Sequence, residues 1–369
     1  MGKRLLQFGL AVSFFAAGCG SRSGLEDYPS EKLPVVAGLV PIVCHSSVAA
    51  SSTVNVKSPL QMEIILDGSG SMSDDHKWVA AVTGLDVIFD DFLAEEDPTF
   101  AAGLIVFSDR RDPTVGEGPY PTATDVPPAL VDKRQRDAMR ARLDRTTPGG
   151  GTPTFRALEG GFGVLRAFDP PSDRNPQKIL VILTDGVPSG PLGVPNSHEI
   201  EQAQCLDLVT AERGGLPSIR TFAVGIGPFP GNTDYDPNFM GDLAIAGGTR
   251  SSPVCDPHAT NEDRVCHFQI SPLGKPTSDL TREFVSAIDR IRQVAVRSCE
   301  FTFVDNDPVD PTNVIVDWTD GAGKKESIAE DTDNGWTYDA RRRTVVLHGR
   351  VCAEVSADFS GDVSVRRSC

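Results

Sequence analysis

After its first twenty residues the chain has no apolar run long enough to cross a bilayer, which excludes a second membrane segment and leaves an exported body held, at most, by a lipid. Positive charge is also scarce. Lys and Arg number 35 against 51 Asp and Glu, and the formal charge of -16 argues against nucleic acid or anionic lipid as a partner. Cys-x-x-Cys occurs nowhere among the eight cysteines, and Cys255 and Cys266 stand too far apart for a zinc knuckle. A phosphate-binding loop and a Ser/His/Asp arrangement are missing too, so nothing points to a small-molecule substrate. The excess acid suits divalent cations and solubility, and most of it reads as solvated surface.

What is present starts with a leader. Lys3 and Arg4 precede an apolar stretch from Leu5 to Ala17, the length of a signal-peptide core, so residues 1–18 are expected to be removed. Ala16-Ala17-Gly18-Cys19 resembles a bacterial lipoprotein box, departing from it in having Ala16 where Leu is preferred. The resemblance implies lipidation of Cys19 and a chain anchored in the cell envelope, at the outer membrane, on its periplasmic or surface face. Residues 19–58, rich in Ser, Gly and Pro without a period, read as a tether.

The centre of the sequence is Asp67-Gly68-Ser69-Gly70-Ser71-Met72, directly after the apolar run Ile64-Ile65-Leu66. One carboxylate and two hydroxyls can converge there, because the glycines permit the tight turn. Oxygen-only ligands favour a hard divalent cation: magnesium, manganese or calcium. The plainer reading is a loop whose hydroxyls cap a helix starting near Ser73. Two further stretches bear on this choice: Gly149-Gly150-Gly151-Thr152-Pro153-Thr154, and the apolar strand Ile179 to Leu183 closing on Thr184-Asp185-Gly186.

In this order and spacing the three stretches resemble the metal-ion-dependent adhesion site of von Willebrand factor A domains, Asp-x-Ser-x-Ser, then Thr, then Asp. The resemblance implies Ser69, Ser71 and Thr152 as hydroxyl ligands, with Asp67 and Asp185 binding directly or through water. It also implies magnesium as the first choice of cation and one open coordination position, which a partner protein's carboxylate fills. Adhesion, not turnover, is the expected role. A structural reading is the alternative, with the cation buried and non-exchanging in an envelope assembly. A hydrolase would need a base beside the metal, and His76 and His198 are the nearest histidines in sequence to the site loops.

Alternation of apolar strands with amphipathic helices predicts an α/β fold, a doubly wound, mainly parallel sheet with helices on both faces. Strands are expected at 62–67, 101–107, 178–184 and 219–226. Trp78 to Phe92, Phe155 to Phe168, 198–212 and Asp279 to Val294 carry helical periodicity, the last behind Thr277 and Ser278 as caps. Asp67 and Asp185 then sit at the carboxyl ends of strands, where ligands bind in such sheets. Residues 227–277 read as a rim or lid, or as a stapled surface excursion. From Cys299 on, short runs such as Phe301-Thr302-Phe303-Val304 and Val363-Ser364-Val365 predict a small all-β subdomain over 298–369, after a sheet domain over 59–297. Its acid clusters at Asp305 and Asp331 lack the glutamate of a calcium loop and read as turns.

Cysteines in an exported chain read as disulfides. Lipidation of Cys19 leaves seven, so one stays unpaired. The incoming and outgoing chain should emerge side by side, and some von Willebrand A domains are closed by a disulfide between their flanks; together these pair Cys44 with Cys299. Sequence neighbours then suggest Cys255 with Cys266 and Cys352 with Cys369, leaving Cys205 buried in its helix.

Overall fold

The computed structural model describes residues 53–55, 57–94, 99–108, 124–169, 176–189, 196–252, 254–305, 307–358 and 361–367. Thr53–Asn55 form β1, although the sequence reading puts them in the tether. Leu60–Asp67 (β2), Phe100–Phe107 (β3), Val126–Leu130 (β4), Gln177–Thr184 (β5), Ile219–Ile226 (β6) and Phe268–Ile270 (β7) build a six-stranded sheet in the order β4-β3-β2-β5-β6-β7. All its pairings are parallel except the edge pair β3–β4. The middle strands are buried on both faces, which is why β2, β3, β5 and β6 are continuous apolar runs.

Helices cover both faces. On one, Lys77–Ala94 (α1), Lys133–Asp144 (α2) and Thr277–Ala295 (α6) pack against Met62, Ile64 and Leu66 of β2. On the other, Thr154–Ala167 (α3), Ser197–Arg213 (α4) and Pro237–Ala246 (α5) pack around Ile65, Leu180 and Ile182. The glycines in α3 have a packing reason: a Cβ on Gly161 would lie 2.7 Å from Leu180 Cδ1. Thr277 and Ser278 are the first helical residues of α6 rather than its caps; Pro276 takes the cap position, with no side-chain bond.

Residues 227–277 are no mere excursion. Phe239, Met240 and Leu243 of α5 enter the core, β7 completes the sheet, and Cys255–Cys266 closes the stretch between them with Cα atoms 5.0 Å apart.

The remaining chain forms two antiparallel sheets. Glu300–Phe303 (β8), Thr344–Leu347 (β12) and Trp336–Asp339 (β11) join β1 in the order β1-β8-β12-β11; Val314–Thr319 (β9), Lys325–Ile328 (β10) and Asp362–Arg367 (β13) give the order β10-β9-β13. A helix over Gly349–Ala357 (α7) shares their core of Phe301, Phe303, Val316, Val345 and Leu347.

The two flanks of the doubly wound sheet do run side by side: the Ser58 N–H donates to the Val296 carbonyl at 2.9 Å. The expected closure by Cys44 with Cys299 is corrected nevertheless, as is Cys352 with Cys369. Cys299 bonds Cys352. The reason is the antiparallel return of β12 beside β8: the Leu347 N–H donates to the Cys299 carbonyl, and the first turns of α7 carry Cys352 back to that point. Cys44, Cys369 and the lipidation candidate Cys19 lie outside the described residues. Cys205 is buried and unpaired, as expected.

Candidate metal centre

Asp67 ends β2 and Thr184 ends β5, so both acid loops leave the sheet at the same edge, at its carboxyl end. Between them the glycine loop is fastened by backbone bonds: Gly149 N–H to the Gly68 carbonyl at 2.8 Å, and Gly70 N–H to the Gly150 carbonyl at 2.9 Å. Gly150 has φ of 85°, a left-handed conformation that favours glycine. Thr152 is tied to the third loop, because the Ser189 N–H donates to its carbonyl and its own N–H donates to Ser189 Oγ.

All five predicted oxygen-bearing side chains meet here. The Ser69 N–H donates to Asp67 Oδ1 at 2.8 Å, the Ser69 and Ser71 hydroxyls lie 3.0 Å apart, and Ser71 Oγ donates to Asp185 Oδ1 at 2.8 Å. Thr152 closes the ring through Gly186, where a Cβ would fall 2.7 Å from Thr152 Oγ1 and 3.3 Å from Asp67 Oδ2. Asp67, Ser69, Thr152 and Asp185 are buried while Ser71 is half-buried, so the cradle opens on the serine side.

The electrostatics are those of a site short of positive charge. Burial, and then the negative charge of Asp185, push the Asp67 carboxyl up, against hydrogen bonds from Thr184 and Ser69. Asp185 is also raised by burial, although Lys77 and Ser71 oppose the shift. Among the described residues no group of three or more His, Cys, Asp or Glu is placed to hold a metal. A cation here would therefore depend on hydroxyls beside two carboxylates, a donor set that fits a hard divalent ion.

Sequence reasoning missed Thr184, whose hydroxyl donates to Asp67 Oδ2 and accepts from the Gly186 N–H, and Lys77, whose Nζ reaches Asp185 Oδ2 at 2.5 Å. Lys77 left a trace: a basic residue opens α1, the end where a helix dipole disfavours positive charge. Asp75 and His76, both with left-handed φ, bend the chain just before it. His76 and His198 are exposed. The acid clusters are turns: Asp331 accepts backbone N–H groups of Asp333 and Asn334, and Asp305 pairs with Arg343 and Arg367.

A doubly wound α/β domain with three loops converging on five oxygen-bearing side chains is thus defined. The sequence profile of the von Willebrand factor type A domain matches residues 62–255, more than half of the chain, and the chain belongs to that family. No curated protein matches it. Among solved structures it is similar to a von Willebrand factor type A protein from Catenulispora acidiphila (15% identity, TM-score 0.39, covering 79% of this chain and 54% of that one). It is also similar to the pilus adhesin SpaC from Lactobacillus rhamnosus GG in its open conformation (14%, 0.44, 85% and 39%). A third is proximal thread matrix protein 1 from the mussel byssus with a zinc-occupied adhesion site (14%, 0.39, 64% and 49%). The chain spans less than two thirds of the length of each of these three.

Proposed function

We propose that this chain is an exported, lipid-anchored binding module that grips a partner protein through a divalent cation. Ser69, Ser71 and Thr152 supply hydroxyls, Asp67 and Asp185 supply negative charge directly or through water, and magnesium is the natural ion for this donor set. The partner donates a carboxylate to the open coordination position. Cys19 carries the lipid that holds the module at the outer membrane. No helix among the described residues is long and apolar enough to cross a membrane.

The observation that carries the reading is the convergence of the five side chains on one cradle that opens at half-buried Ser71. The SpaC and byssus proteins are, by name, an adhesin and a matrix protein. With binding as the role, His76 and His198 have no part, in keeping with their exposure.

The test is recovery of envelope proteins on the immobilised full chain, with and without chelator, beside Asp67→Ala. A partner retained only with magnesium, and only by the unsubstituted chain, is the expected result. Equal retention by Asp67→Ala in chelator would refute the proposal.

A further inference from the structure

Lys77 is placed where a cation of the proposed kind would act. Its side chain is 10% exposed, and its ammonium lies 2.5 Å from Asp185 Oδ2, a carboxylate whose other oxygen takes the Ser71 hydroxyl. A buried ammonium is costly without a partner, and a buried carboxylate pair is costly without a counter-charge. Each meets the other's need. The placement is built into the chain: a kinked seven-residue 3-10 segment, Gly70–His76, runs from the site serines to Lys77, and two left-handed residues, Asp75 and His76, turn it so that the first side chain of α1 reaches back into the cradle.

Resting on the reading of the site given above, we propose that Lys77 is a tethered competitor for the metal ion, neutralising Asp185 while the cradle is empty and opposing a divalent cation as it enters. With the ammonium in place the two aspartates and Lys77 carry one net negative charge instead of two, so the empty cradle tolerates its own acids. An arriving divalent cation must push Lys77 off Asp185 or bear its positive charge at close range; both lower the affinity, in a partly buried site where such charges are weakly screened. If the ammonium stays, the loaded centre carries one net positive charge, which favours an anionic ligand.

The experiment is calorimetric titration of magnesium chloride into the chelator-stripped full chain, comparing it with Lys77→Met, Lys77→Gln, Lys77→Arg and Asp67→Ala. Lys77→Met and Lys77→Gln are expected to bind at least about tenfold tighter, Lys77→Arg to stay near the parent, and Asp67→Ala to lose binding. A parent that binds magnesium weakly beside a Lys77→Met that binds it at least about tenfold tighter is the strongest support. Variants that fold only with magnesium also support it, since the ion then replaces the lost ammonium. Unchanged or weaker affinity in both neutral variants, with binding still lost in Asp67→Ala, leaves the site in place and overturns the role of Lys77. Binding undiminished by Asp67→Ala removes the site itself and this proposal with it. Neutral variants that stay unfolded at saturating magnesium overturn it as well, because the ion then cannot stand in for the lysine.

Discussion

Asp317 in the C-terminal sheets and Asp67 at the end of β2 are both buried carboxylates, yet their surroundings push them in opposite directions. Asp317 accepts from Ser327 Oγ at 2.5 Å and from an Arg366 guanidinium nitrogen at 2.6 Å, with Lys325 Nζ at 3.1 Å. Those contacts, the Ser327 hydrogen bond first, hold its carboxyl down at about 2. Asp67 has two hydroxyl-bearing residues and another carboxylate as neighbours, and burial drives it up. A saturated acid ties the three strands of its sheet together; an under-compensated one at a strand end awaits a cation. The direction of the shift separates an acid whose charge its neighbours compensate from one whose charge they do not, which burial alone does not do.

The largest expected effect tests whether the C-terminal module is held apart from site chemistry. Replacing both Cys299 and Cys352 with Ser opens a loop of sequence separation 53 and should cost about 4 kcal/mol of stability in denaturant melts. Magnesium affinity, read by calorimetry at a temperature where the variant is folded, should not change. A parallel loss of affinity would erase the division between the two regions.

Next come the paired neutralisations. Asp317→Asn leaves Arg366 and Lys325 facing an amide and should destabilise by about 2 kcal/mol, moderated because both basic groups are partly exposed. Asp67→Asn should instead leave the metal-free protein as stable or up to about 1 kcal/mol more stable, while losing magnesium binding. Thermal melts in chelator compare the two directly, and equal destabilisation would sink the distinction.

A pH slope, not an offset at fixed pH, sharpens the same contrast inside the sheet. Glu63, fully buried in β2 with a hydrogen bond from Thr124, is pushed up to about 8, mainly by burial. The folded chain therefore keeps a proton that the unfolded chain releases. Stability from this group is whole below about pH 4.5 and is lost as pH rises through about 8, with a slope of at most about 1.4 kcal/mol per pH unit. Glu63→Gln should remove that part of the slope in melts between pH 5 and 9.

Much of the first module was legible in the sequence because strands buried on both faces leave uninterrupted apolar runs, as in Ile179 to Leu183. β4 was hidden for the opposite reason. Its Val126-Pro127-Pro128 start carries two prolines, which only an edge strand tolerates. In α2, Met139 and Leu143 are the buried apolar residues among twelve mostly charged ones, too few to set a period. The five site oxygens were readable because the loops that hold them follow strands directly. Lys77 was not, since its partner lies 108 residues away and only the folded sheet brings them together. The same holds for Cys299 and Cys352, whose meeting depends on the register of β8 with β12 and on a nine-residue helix with weak sequence signals.

The central claim, that these five side chains hold one cation, is tested most directly by a crystal structure of the full chain with manganese, located by its anomalous signal. The account predicts one strong peak bounded by Ser69, Ser71, Thr152, Asp67 and Asp185, about 2.0 to 2.6 Å from the oxygens that bind it directly, and absent in Asp67→Ala. A manganese peak elsewhere on the chain with none in this cradle, at saturating ion, would contradict it.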